Sequence, residues 1–86
     1  MRRRTDRNQA EIVAALRQLG ATVWITSNVG CGFPDLAVGY HGRTYLLEVK
    51  VRPVELTPDE EGFHITWRGQ AAIVTNVQEA MEVICG

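Results

Sequence analysis

Asp35, Glu48 and Lys50 are the residues of this chain whose types and spacing could do chemistry. They stand inside GFPDLAVGYHGRTYLLEVK, residues 32–50, where an otherwise apolar pair of strand-like segments would ordinarily carry Val, Ile or Leu. The two carboxylates are 13 residues apart, and Lys50 follows Glu48 by two. A two-residue hairpin between them brings the acids towards each other on neighbouring strands, and period-two alternation projects Lys50 from the same face as Glu48. Two converging carboxylates repel unless a cation lies between them. Oxygen ligands select a hard ion such as Mg²⁺ or Mn²⁺, and the backbone carbonyl of Val49 offers one more oxygen. Such an ion lowers the pKa of its water and polarises a phosphoryl oxygen, while an adjacent ammonium orients the water or stabilises developing charge. These parts suit phosphodiester hydrolysis. The plain alternative is an exposed Glu–Lys pair with an unrelated Asp at a turn. Against it, Gly32 and Pro34 fix the chain just before Asp35, and Ala37 and Gly39 leave room above the same face.

The elements that must position these residues are legible in outline. A first helix is expected over residues 6–19, with Thr5 or Asp6 as N-cap and Gly20 as stop. Its apolar stripe is Ile12, Leu16 and Leu19 with Val13 beside it, and Glu11 lies on the flank of that stripe. TVWIT (22–26) reads as a strand, and SNVGCGF (27–33) as a turn-rich loop. DLAVGY and RTYLLEVKV flank His41-Gly42, a pair suited to a primed turn. Alternation assigns Leu36, Val38, Tyr40, Tyr45, Leu47, Val49 and Val51 to the core face. Asp35, Ala37, Gly39, Leu46, Glu48 and Lys50 fall on the other. After a loop holding Pro53, Thr57, Pro58 and Glu60 announce a second helix with a capping box, running to about Trp67. QAAIVT (70–75) is a short strand, and a last helix follows, with Asn76 and Glu79 in capping-box spacing. The order is α-β-β-β-α-β-α, an α/β arrangement with a mixed sheet flanked by helices.

Length and composition bound the rest. Eighty-six residues are one domain's worth, 1–86, and 45% hydrophobic content argues against disorder. No apolar run approaches the ~20 residues of a membrane helix. The charged start lacks an apolar stretch of signal-peptide length, so the expectation is a cytoplasmic protein that is neither secreted nor membrane-bound. Cys31 and Cys85 are too few for a disulfide framework and, with His41 and His64, lack zinc-ligand spacing; both are expected to be buried or inert. The net charge of −1 conceals a basic half, with eight Arg and Lys against four acids in residues 1–52. The half that follows is acidic, with one against six. The basic half holds the candidate triad, so a polyanion would meet that side. Arg2, Arg3, Arg4 and Arg7 are either phosphate contacts or a solvated terminus.

GFPDL followed by LLEVK resembles the PD-(D/E)xK nuclease signature. The downstream run LTPDEEGFHITWRGQAAIVTNVQEAMEVI is similar to the tail of the virus-type replication-repair nuclease (VRR-Nuc) family, including its stand-alone phage members. The resemblance spans essentially the whole chain. It implies a restriction-endonuclease-like αβββαβ core with an added C-terminal helix. It also implies Asp35 and Glu48 as metal carboxylates, the Val49 carbonyl as a further ligand, Lys50 as catalytic lysine, and Glu11 completing the site directly or through water. The implied ion is Mg²⁺ or Mn²⁺, with no small-molecule cofactor, and the implied source is a phage or its bacterial host. One departure stands out: a glutamine commonly follows LTP in the family, and here that position is Glu60, which equally fits the capping box. His64 and Trp67 are expected in core or interface rather than in chemistry.

Lone nuclease domains of this kind resemble Holliday-junction resolvases, so the implied activity is a structure-specific endonuclease acting as a homodimer on branched DNA. Two alternatives stand beside it. One is a catalytically silent DNA-binding scaffold of the same fold, which the intact Asp35, Glu48 and Lys50 set argues against. The other is a nuclease acting on a different nucleic-acid substrate.

Overall fold

The computed structural model describes residues 4–86; Arg2 and Arg3 lie outside the described residues. The elements are α1 (Arg4–Leu19), β1 (Thr22–Ile25), β2 (Leu36–Tyr40), β3 (Arg43–Val49), α2 (Pro58–Thr66), β4 (Ala72–Val74) and α3 (Val77–Cys85). They form one four-stranded sheet in the order β1-β2-β3-β4. The first three strands run antiparallel, and β4 joins β3 in parallel after the α2 crossover. The chain is thus a mixed sheet flanked by helices, as the alternation and capping signals predict.

Alternation decides which face is core. Val23, Leu36, Val38, Leu47, Val49 and Val74 meet Ile12, Val13 and Leu16 of α1 and Ala80 and Ile84 of α3, all buried. Burying a large aliphatic side chain contributes about 1.5–3 kcal/mol, so this layer is the main source of stability. The β2–β3 turn is tight because His41 and Gly42 both take positive φ, 50° and 77°, as a primed turn requires. That turn fixes the register Leu36↔Leu47, which one step further sets Asp35 across from Glu48.

Helix α2 buries no residue fully and is held by its ends and one edge. Its N-terminus carries the full capping box: Thr57 accepts from the Glu60 N–H, and the Glu60 carboxylate accepts from the Thr57 N–H. Its side packs Phe63 and Trp67 against Phe33, with ring centroids at 5.5 and 6.4 Å. Gly32, at φ 83°, lies so close to the backbone at Asp59 that a Cβ would overlap its carbonyl.

Several local expectations are corrected. Helix α1 already includes Thr5 and Asp6, so neither is its cap; Asp6 instead sits in the first turn, where its charge favours the helix dipole. The last strand begins at Ala72 rather than Gln70. The Gln70 side chain bonds both the N–H and the C=O of Leu46, at 2.6 and 3.4 Å, doing with an amide what a strand backbone would do. The capping role expected of Glu79 goes elsewhere: its Oε1 accepts from the Thr75 N–H and Oγ1, both at 2.7 Å. Cys31 and Cys85 are exposed, not buried. Cys31 lies in a turn at φ 56°, where the loop faces solvent, and Cys85 ends α3 beyond its core-facing Ile84. Among the described residues no helix is long and apolar enough to cross a membrane.

Gly32→Ala should destabilise the fold by more than about 1 kcal/mol, because strain at positive φ adds to the clash with α2. Gly30→Ala has a similar φ but open space around it, so it isolates the strain alone. Urea midpoints of the two variants compare them; equal losses would mean that α2 yields without cost.

Candidate active site

The loop before β2 is braced so that Asp35 has little freedom. Thr26 donates its N–H to the Asp35 carbonyl at 2.7 Å and its hydroxyl to the Pro34 carbonyl at 2.7 Å. Pro34 is buried, and Phe33 donates back to Gly30 at 3.1 Å. Asp35 lies one residue ahead of β2, and its Oδ2 accepts the N–H of Val49 at 2.9 Å. The Ser27 hydroxyl donates to its other oxygen at 3.3 Å. The side chain therefore takes a place in the ladder that the backbone of β2 has not yet reached.

Glu48 is the one buried charged residue among those described, 2% exposed, and its Oε1 has no hydrogen-bond partner. Burial raises its pKa most. The charge of Asp35, close contact with that carboxyl group and the charge of Glu60 add to the effect, Lys50 opposes it, and the result is pushed up to about 9. Such a group is neutral at pH 7 unless a cation is supplied.

Lys50, one residue past β3, continues the ladder through its N–H to Val74 at 3.0 Å. Its Nζ bonds Glu60 Oε1 at 2.7 Å and stands 3.7 Å from Glu48 Oε2. Burial alone would lower its pKa, but the bond and charge of Glu60 and the charges of Glu48 and Asp35 prevail and raise it. Glu60 responds in kind: burial would raise its pKa, yet the Lys50 bond, the Thr57 N–H and the Lys50 charge hold it below the ordinary range. Lys50 is thus a cation at neutral pH. The two readings of Glu60 coexist, because one oxygen serves both the cap and the lysine.

Glu11 is exposed on α1 and faces a separate open groove with Arg4, Arg7 and Arg52. Among the described residues no three His, Cys, Asp or Glu side chains converge on one point, so Glu11 does not join Asp35 and Glu48 as a direct ligand group. The carboxylates of Asp35 and Glu48, the latter with its orphaned buried oxygen, and the Val49 carbonyl still fit Mg²⁺, which keeps several waters and needs only one or two carboxylates. Trp67 is half-exposed and stacks on Phe63 at 5.0 Å. His64 is partly buried, with an unpartnered Nε2. Sequence reasoning missed the link from Asn8, whose amide donates to the carbonyls of Lys50 and Thr75, both at 2.9 Å. Its only signal was a polar residue beside the apolar stripe of α1.

A solved structure described as a VRR_NUC domain superposes on this chain with a TM-score of 0.75 at 24% identity, covering 93% of this chain and 92% of that one. No family profile and no curated protein matches the sequence. The chain has the VRR-Nuc fold.

In metal-free buffer the Glu48 carboxyl keeps its proton up to about pH 9 when folded and loses it near 4.5 when unfolded. Between those values the native state binds more protons. The contribution of this group to stability is therefore fully present below about pH 4.5 and is lost as pH rises towards 9. Glu48→Gln should flatten this decline and stabilise the metal-free protein at neutral pH. Urea midpoints across that range test it, and an unchanged slope in the variant would assign the titration to another group.

Proposed function

We propose that this chain, with the VRR-Nuc fold and the paired acids it carries, is a metal-dependent, structure-specific DNA endonuclease. The observation that carries the reading is Glu48: a carboxylate buried beside Asp35, with one oxygen unpartnered, is costly unless a cation completes it. A scaffold that only bound DNA would gain nothing from two acids facing phosphate.

Asp35, Glu48 and the Val49 carbonyl would hold Mg²⁺ or Mn²⁺, with Glu11 acting through water. The bound ion would supply an acidified water and a polarised phosphoryl oxygen. The protein's own part is electrostatic and positional. Val49 N–H and Ser27 aim the Asp35 carboxylate, leaving Glu48 to present its free oxygen beside it. Lys50, kept protonated by Glu60, acts as a fixed positive charge against the phosphate and the attacking water rather than as a base. Glu60 in place of the family's glutamine strengthens that charge while adding a negative neighbour to Glu48.

The described residues carry one such site. A two-fold homodimer would present two, spaced for a symmetric branched substrate such as a Holliday junction.

Gel assays on linear, forked, flapped and four-way-junction DNA with Mg²⁺ or Mn²⁺ test the proposal, and nicking strongest on the branched forms is expected. Lys50→Ala and Asp35→Asn should each lose about 100-fold or more, and binding without nicking in either metal would favour the scaffold. Sedimentation velocity should find a dimer. Glu60→Gln keeps an N-cap acceptor, so stability should change by no more than about 1 kcal/mol. Removing the charge that raises the Lys50 pKa should move the alkaline limb of the rate profile to lower pH. An unmoved limb would mean that Lys50 does not act as a cation.

A further inference from the structure

The groove that receives Glu11 is a basic concavity. Its volume is about 420 Å³, and Arg4, Arg7 and Arg52 share its wall with Asn8, Glu11 and Asn76. Three guanidiniums thus face one carboxylate. Arg7 and Glu11 stand at the i, i+4 spacing of a helical ion pair, yet the described contacts between basic and acidic side chains are Lys50–Glu48, Lys50–Glu60 and Arg52–Glu79. Arg4 and Arg7 are both exposed, line the groove and make none of these contacts. Arg52 is held at one point only, by Glu79 Oε2 at 2.7 Å. Glu79 is itself anchored on Thr75, so this contact aims the guanidinium while the rest of its five-donor fork stays available.

The groove also touches the carboxylate site through the backbone. Asn8 lines it and bonds the Lys50 carbonyl, and Arg52 follows Lys50 by two residues. We infer that this groove carries the nucleic-acid backbone past the active site, with Arg4, Arg7 and Arg52 each contacting phosphate. The inference rests on the nucleic-acid reading above but not on catalysis. Arginine forks match phosphate oxygens in pairs, and α1 lines the groove from Arg4 to Glu11, about 10 Å of helix, which suits successive phosphates of one strand better than a compact anion.

The test is DNA binding by the whole chain in EDTA, where cleavage cannot interfere. Fluorescence anisotropy with a labelled duplex and a labelled four-way junction is followed over a salt series. Arg4→Gln/Arg7→Gln keeps helix-forming residues on an exposed face, so folding should be unaffected. Its slope of log affinity against log salt should shrink by about 2, and Arg52→Gln should reduce it by about 1. Arg43→Gln, an exposed arginine at the opposite end of β3, should leave both affinity and slope unchanged. The inference is overturned if the groove variants bind like wild type, if Arg43→Gln weakens binding as much as they do, or if the wild type binds neither DNA. The two readings fail separately. Arginine-dependent binding without nicking in Mg²⁺ or Mn²⁺ upholds the groove and removes the nuclease; Lys50-dependent nicking with arginine-independent binding does the reverse.

Discussion

The bond from the Val49 N–H to the Asp35 carboxylate is where strand pairing and site geometry become the same thing. Ahead of β2 the chain has no backbone partner to offer β3, and an unpaired amide this close to the core would be expensive. The carboxylate supplies the acceptor. In doing so it is drawn beside Glu48, whose own position follows from the register that the His41-Gly42 turn imposes. Satisfying the ladder thus forces two acids together, and the orphaned Glu48 oxygen is the local consequence.

The remaining charges read as a response to that constraint. Lys50 stands 3.7 Å from Glu48 but gives its short bond to Glu60. Glu60 is in turn fixed by the Thr57 N–H, so the first turn of α2 holds the ammonium from behind. A rigid ammonium loses less on reorganisation than a mobile one, the condition under which a fixed charge best stabilises a transition state. The cap of a helix and the orientation of a lysine are one hydrogen-bonded unit, which ties the placement of α2 by Gly32 and Phe33 to the electrostatics of the sheet.

The sequence revealed what depends on local period. Alternation separated Leu36, Val38, Leu47 and Val49 from Asp35, Glu48 and Lys50, and Thr57-Pro58 with Glu60 marked the start of α2. What it could not reveal depends on side chains replacing backbone. Gln70 stands in for a strand against Leu46, so β4 is shorter than its apolar run; Glu79 reaches past its cap to Thr75. Cys31 is exposed because a turn at positive φ carries it outward, which residue type alone does not encode. Arg52 gave no hint of sharing a surface with Arg4 and Arg7, since only the packing of α1 over the sheet brings positions so distant in sequence to one wall.

The Asn8 amide has a mechanical meaning. It spans the carbonyls of Lys50 and Thr75, the points where two parallel strands have just ended, and so rivets the helix to both. A rod pinned at two such points cannot slip lengthwise without breaking both pins together. Tension applied to the first turns of that rod is therefore borne in part by the peptide of the lysine itself.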